Sequence, residues 1–226
     1  MATRTGTVSP TLPTVANASG LRAEVGAILT GMASIHGWAG ASAQRHGERA
    51  GGTARAKGAW AKGAEGERVV GRLLDSVPGV LVLHDRAVPG SPANIDHIAI
   101  APTGVYVIDA KHYTGEPRLD RLGDGSILRL KVGGADRTGL VVGVRHQLGV
   151  VAEALAEPAV PVRAVLCFVG AQWPSSNGFV IDGVGVTSPD ALGDLLVTPG
   201  PLSPAEIAAV HARLRDRLAA AWDSDD

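Results

Sequence analysis

The sequence predicts an α/β fold, with helices layered on a mixed sheet. Three observations predict it. In "AEGERVVGRLLDSV" the apolar residues Val69, Val70, Leu73 and Leu74 share one helical face. A run of β-branched segments with turn signals follows, centred on "NIDHIAIAPTGVYVIDAKHYTG" from Asn94 to Gly115. A second helical pattern, "TGLVVGVRHQLGVVAEALAE", then precedes "PVRAVLCFVG", an unbroken apolar run of the kind that forms a strand buried on both faces. The order helix, three or four strands, helix, strand belongs to a layered α/β domain.

The elements can be justified in order. Residues 1–20 are rich in Thr, Pro, Ser and Ala without apolar periodicity, which predicts a disordered tail. Leu21, Val25, Ile28, Leu29, Met32 and Ile35 recur at helical spacing, so a helix ending near Gly37 is expected. The Ala-rich, basic stretch after it contains Gly47, Gly51 and Gly52, which weaken a continuous helix, and Trp60 could pin its end to the body. Residues 21–62 thus read as a basic helical extension. The body begins near Gly63 with its first helix. After the Pro78-Gly79 break, "GVLVLHDRAV" is a strand. The Asn94–Gly115 hairpin is next, and a strand is expected from about Ser126 to Val132. The second long helix stops at Pro158. "PVRAVLCFVG" completes a core over residues 63–170. Residues 171–226 add the short strands "GFVID" and "VGVTS", a helix at Pro189–Leu196 and a last helix at Pro204–Trp222. Ser203 caps that helix, with Pro204 at its first position and Glu206 placed for a capping box.

Composition bounds the function. The chain has 226 residues, 45% hydrophobic and 19% charged, as in an ordinary globular protein. A formal net charge of −1 argues against a protein that coats nucleic acid with its whole surface. The charge is uneven, however. In residues 1–62 seven basic residues against Glu24 and Glu48 leave a net +5. The single cysteine, Cys167, lies in an apolar run and reads as a buried structural thiol. No convincing signal peptide is present, and the most apolar window, Val25 to Ala43, contains His36 and few large side chains, short of a membrane span. A cytoplasmic protein is the expectation.

The hairpin raises the chemical question. A turn at Pro102-Thr103, or from Ala101 to Gly104, gives one register in which paired residue numbers sum to 205. Ile98 and Ile100 then face Val107 and Val105, and Asp96 faces Asp109. Lys111, two residues on, shares that face. Carboxylates paired across strands lie about 5 Å apart at Cβ and repel, so one would take up a proton unless a cation stands between them. Oxygen ligands at this spacing suit Mg²⁺ or Mn²⁺. Lys111 can hold a water or steady charge on a phosphate. The set is a compact phosphodiester-cleaving constellation; a salt-bridged trio on a half-exposed sheet face is the other reading. His97 and His112 point to the opposite face, and His146 reads as a solvated helix residue. The motifs "GVGV" and "GDG" are too short for phosphate loops.

"GAEGERVVGRLL" followed by the hairpin resembles the nuclease-related domain family, NERD, of the PD-(D/E)XK restriction-endonuclease-like superfamily. The resemblance covers roughly residues 62 to 170. It implies a restriction-endonuclease-like core, a central mixed sheet flanked by helices, here with an added N-terminal helical segment and C-terminal helices. Residue by residue, it implies that Asp96 is the first acidic motif, that Asp109 and Lys111 are the (D/E)-x-K motif, and that Gln147 is a polar residue on the following helix. It also implies a helix glutamate. Spacing leaves Glu65 and Glu67 open, since both border the apolar face; the match to Gly63, Gly66 and Glu67 favours Glu67. The implied activity is metal-dependent hydrolysis of DNA, with Asp96, Asp109 and Glu67 as ligands of Mg²⁺ or Mn²⁺. The basic segment, with Arg49, Arg55 and Lys57, would grip backbone phosphates; a solvated linker is its plainer reading. Two rivals stand beside this one: a non-catalytic nucleic-acid- or protein-binding module of the same fold, and a metal-dependent enzyme on another phosphate ester.

Overall fold

The apolar stripe of "RVVGRLL" closes on a helix longer than the sequence suggests. The computed structural model describes residues 38–49, 54–121, 128–174 and 178–221, all within one compact unit, Ile35–Asp226. The expected tail and the helix from Leu21 to Gly37 lie outside the described residues. Helix α1 spans Ala41–Arg49 and helix α2 spans Ala54–Ser76. Helix α2 thus starts well before Gly63 and runs through Gly58, Gly63 and Gly66. Each helical glycine costs about 1 kcal/mol relative to alanine. Val70 and Leu74, both fully buried, are worth about 1.5–3 kcal/mol each, so packing outweighs propensity.

The central sheet is built from β1 (Leu81–Ala87), β2 (Asn94–Ala101), β3 (Gly104–His112), β7 (Val162–Val169), β8 (Gly178–Ile181) and β9 (Val184–Thr187). Their order is β1-β2-β3-β7-β9-β8. β1, β2 and β3 form an antiparallel meander, β7 lies parallel to β3 and to β9, and β8 closes the far side antiparallel to β9. The chain passes from β3 to β7 through a small sheet of β4 (Pro117–Arg121), β5 (Leu128–Val132) and β6 (Ala135–Asp136), then through helix α3 (Thr138–Leu155). This mixed sheet flanked by helices is consistent with a restriction-endonuclease-like core.

Strand alternation sorts the core into two layers. Tyr106, Ile108 and Ala110 join Val70 and Leu74 of α2, with Leu192 and Leu196 of helix α4 (Pro189–Leu196). Val105 and Val107 join Val141, Val144 and Val151 of α3, with Ile207, Val210 and Leu214 of helix α5 (Pro204–Arg217). β7 feeds both layers, with Leu166 and Phe168 to one and Val165 and Cys167 to the other. It is the strand buried on both faces that its composition predicts. Burial pushes the Cys167 thiol up to about 12, as befits a structural cysteine.

Helix ends follow local chemistry. α3 stops at Leu155, where Ala156 turns left-handed at φ 50° and donates to Ala152 O. Ser203 and Glu206 form the expected capping box on α5. That helix ends at Arg217 rather than Trp222; Ala220 instead bridges to Arg86 of β1, and Trp222 lies outside the described residues. The strand expected from Ser126 is described from Leu128. β4 and β6 were not foreseen, because "PRLDR" and "AD" carry charge where a strand signal needs apolar alternation. Among the described residues no helix is long and apolar enough to cross a membrane.

Candidate active site

The β2–β3 turn fixes the geometry of everything at the far end of the hairpin. Gly104 sits at φ +133°, and a Cβ there would lie 2.4 Å from Pro161 O, so only glycine fits. The pairs Ala101↔Gly104, Ile100↔Val105, Ala99↔Tyr106, Ile98↔Val107 and His97↔Ile108 all sum to 205. The backbone ladder stops there, one pair short of Asp96 and Asp109. Past that point a side chain takes over: Asp96 Oδ2 accepts a hydrogen bond from Ala110 N at 2.9 Å. The strands fork, and the fork opens a polar slot in an otherwise apolar sheet.

Lys111 fills the mouth of that slot. Its Nζ donates to Asp109 Oδ1 and lies 3.5 Å from Asp96 Oδ2. Asp96 and Asp109 are 6% and 5% exposed. The repulsion expected between them is therefore met by an ammonium and by a proton. Burial, then the Asp96 charge, push Asp109 up to about 7 even though Lys111 opposes the shift. Burial also works against the charge on Asp96, but Lys111, a hydrogen bond with Asp109 and the Ala110 N–H outweigh it and hold this carboxyl below its usual range. Lys111 is raised above the ordinary lysine range, because the two carboxylates more than offset its burial.

Glu67 enters from α2. It is 7% exposed, and its Oε2 is buried with no hydrogen-bond partner among the described residues. Burial, then the charge on Asp96, push it up to about 9. Glu65 turns outward instead, pairing with Arg68 at 2.7 Å and Arg72 at 3.6 Å. Of the two glutamates that helical spacing left open, Glu67 is the one brought to the carboxylates. Gly66 makes this approach possible, since a Cβ there would meet His112 Cβ at 3.2 Å and His112 N at 3.3 Å.

Gln147 reaches from α3 to the start of β2, two residues before Asp96. Its Nε2 donates to Asn94 O at 3.2 Å, while its Oε1 is buried without a partner among the described residues. Asn94 leads to a residue that sequence reasoning missed. Asn94 Nδ2 donates to Asp85 Oδ1 at 2.8 Å, and Ser42 N and Oγ donate to Asp85 Oδ2 at 2.8 and 2.9 Å. Asp85 is fully buried at φ 51° and interrupts the β1–β2 ladder between His84↔His97 and Arg86↔Ile95. It ties the first turn of α1 to the strand beside Asp96. "LHDRA" carried a signal for this, a carboxylate inside an apolar strand, but Asp85 has no sequence neighbour that reveals its partners.

The histidines are on the other side of the sheet, as predicted. His97 Nδ1 lies 2.8 Å from His84 Nδ1, and His84 Nε2 lies 3.0 Å from Asp75 Oδ1. Burial, then the neighbouring His84, push His97 down to about 3, so it is neutral. His112 packs under Gly66, and His146 is exposed. In the basic extension, Arg49 lies in α1 and Arg55 and Lys57 in α2. Lys57 is exposed, whereas the side chains of Arg49 and Arg55 fall outside the described residues. Trp60 is 42% exposed and does not enter the core.

The donor set suits a hard divalent cation in kind: three buried carboxylates, one with an orphaned oxygen and two held at raised pKa values. Among the described residues no three side chains already share one coordination sphere, because Lys111 stands between the aspartates.

Residues 62–169 match the family model of the nuclease-related domain, NERD. No curated protein and no solved structure is found to match.

Proposed function

We propose, from the nuclease-related match over residues 62–169, that this chain carries a metal-dependent nuclease domain that hydrolyses phosphodiester bonds in DNA. The observation that supports it most is the meeting of Asp96, Asp109, Lys111 and Glu67, from three elements, at the fork of the β2–β3 ladder. Asp96, Asp109 and Glu67 would hold Mg²⁺ or Mn²⁺. Such an ion supplies positive charge against a phosphate and lowers the pKa of a bound water. The residues of the chain do the rest. Lys111, kept charged by its aspartates, steadies negative charge as it develops on the phosphate. Gln147 would accept a hydrogen bond from the attacking water at its Oε1, which has no partner among the described residues, and so orient it. Asp85 holds Asn94, and through it the carbonyl to which Gln147 is fixed. Arg49, Arg55 and Lys57 would add phosphate contacts that do not depend on sequence. The thiol of Cys167, buried and single, suits a reducing compartment such as the cytoplasm.

A second reading has its own support. Lys111 already neutralises both aspartates, as it would in a module that keeps the fold and binds nucleic acid or protein without cutting. Cleavage of plasmid and oligonucleotide DNA with Mn²⁺ separates the two. Wild type should cut, and Lys111→Ala should cut on the order of 10²-fold more slowly or worse while still binding Mn²⁺. If wild type cuts no DNA or RNA form above the Lys111→Ala background, the nuclease reading fails and the binding module replaces it.

A further inference from the structure

Helices α1 and α2 border a trough whose aromatic lining the proposed chemistry leaves unused. One basin, of about 330 Å³, is lined by Lys57, Trp60 and Ala64 of α2 and by Gln44 of α1. A second, of about 410 Å³, lies among Trp38, Gln44 and Arg45. Gln44 and Arg68 line both basins, so the two adjoin. Trp38 is 62% exposed and Trp60 42%. Two large indoles at the surface of a chain with only 4% aromatics stand out from scattered apolar exposure. Arg45, Lys57 and Arg68 edge the trough, with Glu65, paired to Arg68, as the nearby acid.

The trough and the carboxylate site share their framework. Arg68 follows Glu67 on α2. Helix α1 is tied by Ser42 to Asp85, on the strand next to Asp96. The trough and the slot thus meet on one helix, at the neighbouring residues Arg68 and Glu67. Aromatic faces over an apolar floor, edged by cations, fit one polymer chemistry best. Unpaired bases offer π faces for stacking while their phosphates meet arginine and lysine; a duplex hides those faces.

We propose that this trough holds a single strand of nucleic acid, stacking unpaired bases on Trp38 and Trp60 and setting phosphates against Arg45, Lys57 and Arg68. Delivery of that strand to the slot rests on the nuclease reading; the stacking does not. Full-length protein in EDTA, where cutting is silent, should show tryptophan fluorescence quenched by an oligo-dT strand. Trp38→Leu and Trp60→Leu should each weaken that binding about tenfold or more, with melting curves near wild type because both indoles are exposed. A duplex of equal length should bind at least about tenfold more weakly than the single strand. Equal affinity of both variants and wild type, or equal binding of duplex and single strand, overturns the proposal. So does protection of Trp38 and Trp60 from acrylamide in the free protein, which would mean that the chain's own segment fills the trough. The two readings fail separately: tryptophan-dependent binding without Mn²⁺-dependent cutting sinks the nuclease alone, and cutting without tryptophan-dependent binding sinks the trough alone.

Discussion

Lys111 is the residue on which the site turns, because it does a cation's work between Asp96 and Asp109. The raised acids set the pH behaviour. Asp109 is pushed from 3.8 to about 7 and Glu67 from 4.5 to about 9. In both cases the folded protein holds its proton more tightly than the unfolded chain does. Their contribution to stability is full at low pH, falls as pH rises past the unfolded values, and is lost once pH passes about 7 for Asp109 and about 9 for Glu67. Asp109→Asn, which never ionises, should therefore melt close to wild type at pH 5 and several degrees above it at pH 8 in EDTA; a lower melting point at pH 8 would show that the Lys111 pairing outweighs the burial of charge. The same shifts set metal affinity. Ligation requires Glu67 and Asp109 to release protons, so Mn²⁺ binding should tighten between pH 6 and pH 9, by about tenfold per unit for each proton displaced. Calorimetry in buffers of different ionisation enthalpy counts those protons. An affinity flat across this range would place the cation elsewhere.

At the scale of elements, the hairpin was legible because its alternation has a period of two and its turn is set by Gly104; the 205 register follows from those facts alone. The fork beyond His97↔Ile108 was not legible, since the end of a ladder depends on neighbours from α2 and α3. The tie at Asp85 was hidden for the same reason: Ser42 is 43 positions away in sequence. Helix α2 was read as starting near Gly63 because its apolar stripe begins there, whereas the turns before it, from Ala54, carry no such stripe. The glycines of α2 now divide into two kinds. Nothing lies within 4 Å of a Cβ added at Gly58, whereas one at Gly66 meets the backbone and Cβ of His112. Gly58→Ala should raise the melting temperature, by about 1 kcal/mol of helix propensity. Gly66→Ala gains the same propensity but must push α2 off β3, at about 1–3 kcal/mol, and moves Glu67 with it. It should melt no higher than wild type and lose Mn²⁺-dependent stabilisation. A Gly66→Ala protein with full metal response would separate Glu67 from the metal site.

Across the whole molecule, charge is distributed against the average. The chain carries −1 overall, yet residues 1–62 carry +5, and α1 and α2, the helix that also carries Glu67, hold part of that charge. The asymmetry is legible in the sequence; its placement is not, because it needs the tie between Ser42 and Asp85. The arrangement answers an electrostatic problem. A buried acidic site repels a polyanion, so a nearby basic surface must hold the strand while the carboxylates remain anionic or metal-bound. Each cation that contacts a phosphate releases counterions, and the logarithm of affinity then falls with the logarithm of salt by about one unit of slope per contact. Replacing Arg49, Arg55 and Lys57 together by alanine should weaken DNA binding most at low salt and flatten that slope by up to about three units. The DNA concentration for half-maximal cutting should rise, and raising the DNA should recover the rate, because the carboxylate slot itself is untouched. Lys111→Ala should show the opposite pattern, with the salt slope kept and the rate not recovered at any DNA concentration. Binding isotherms at several salt concentrations, run beside cleavage at saturating DNA on both proteins, decide it: a triple variant with the wild-type slope would place the phosphates on another surface.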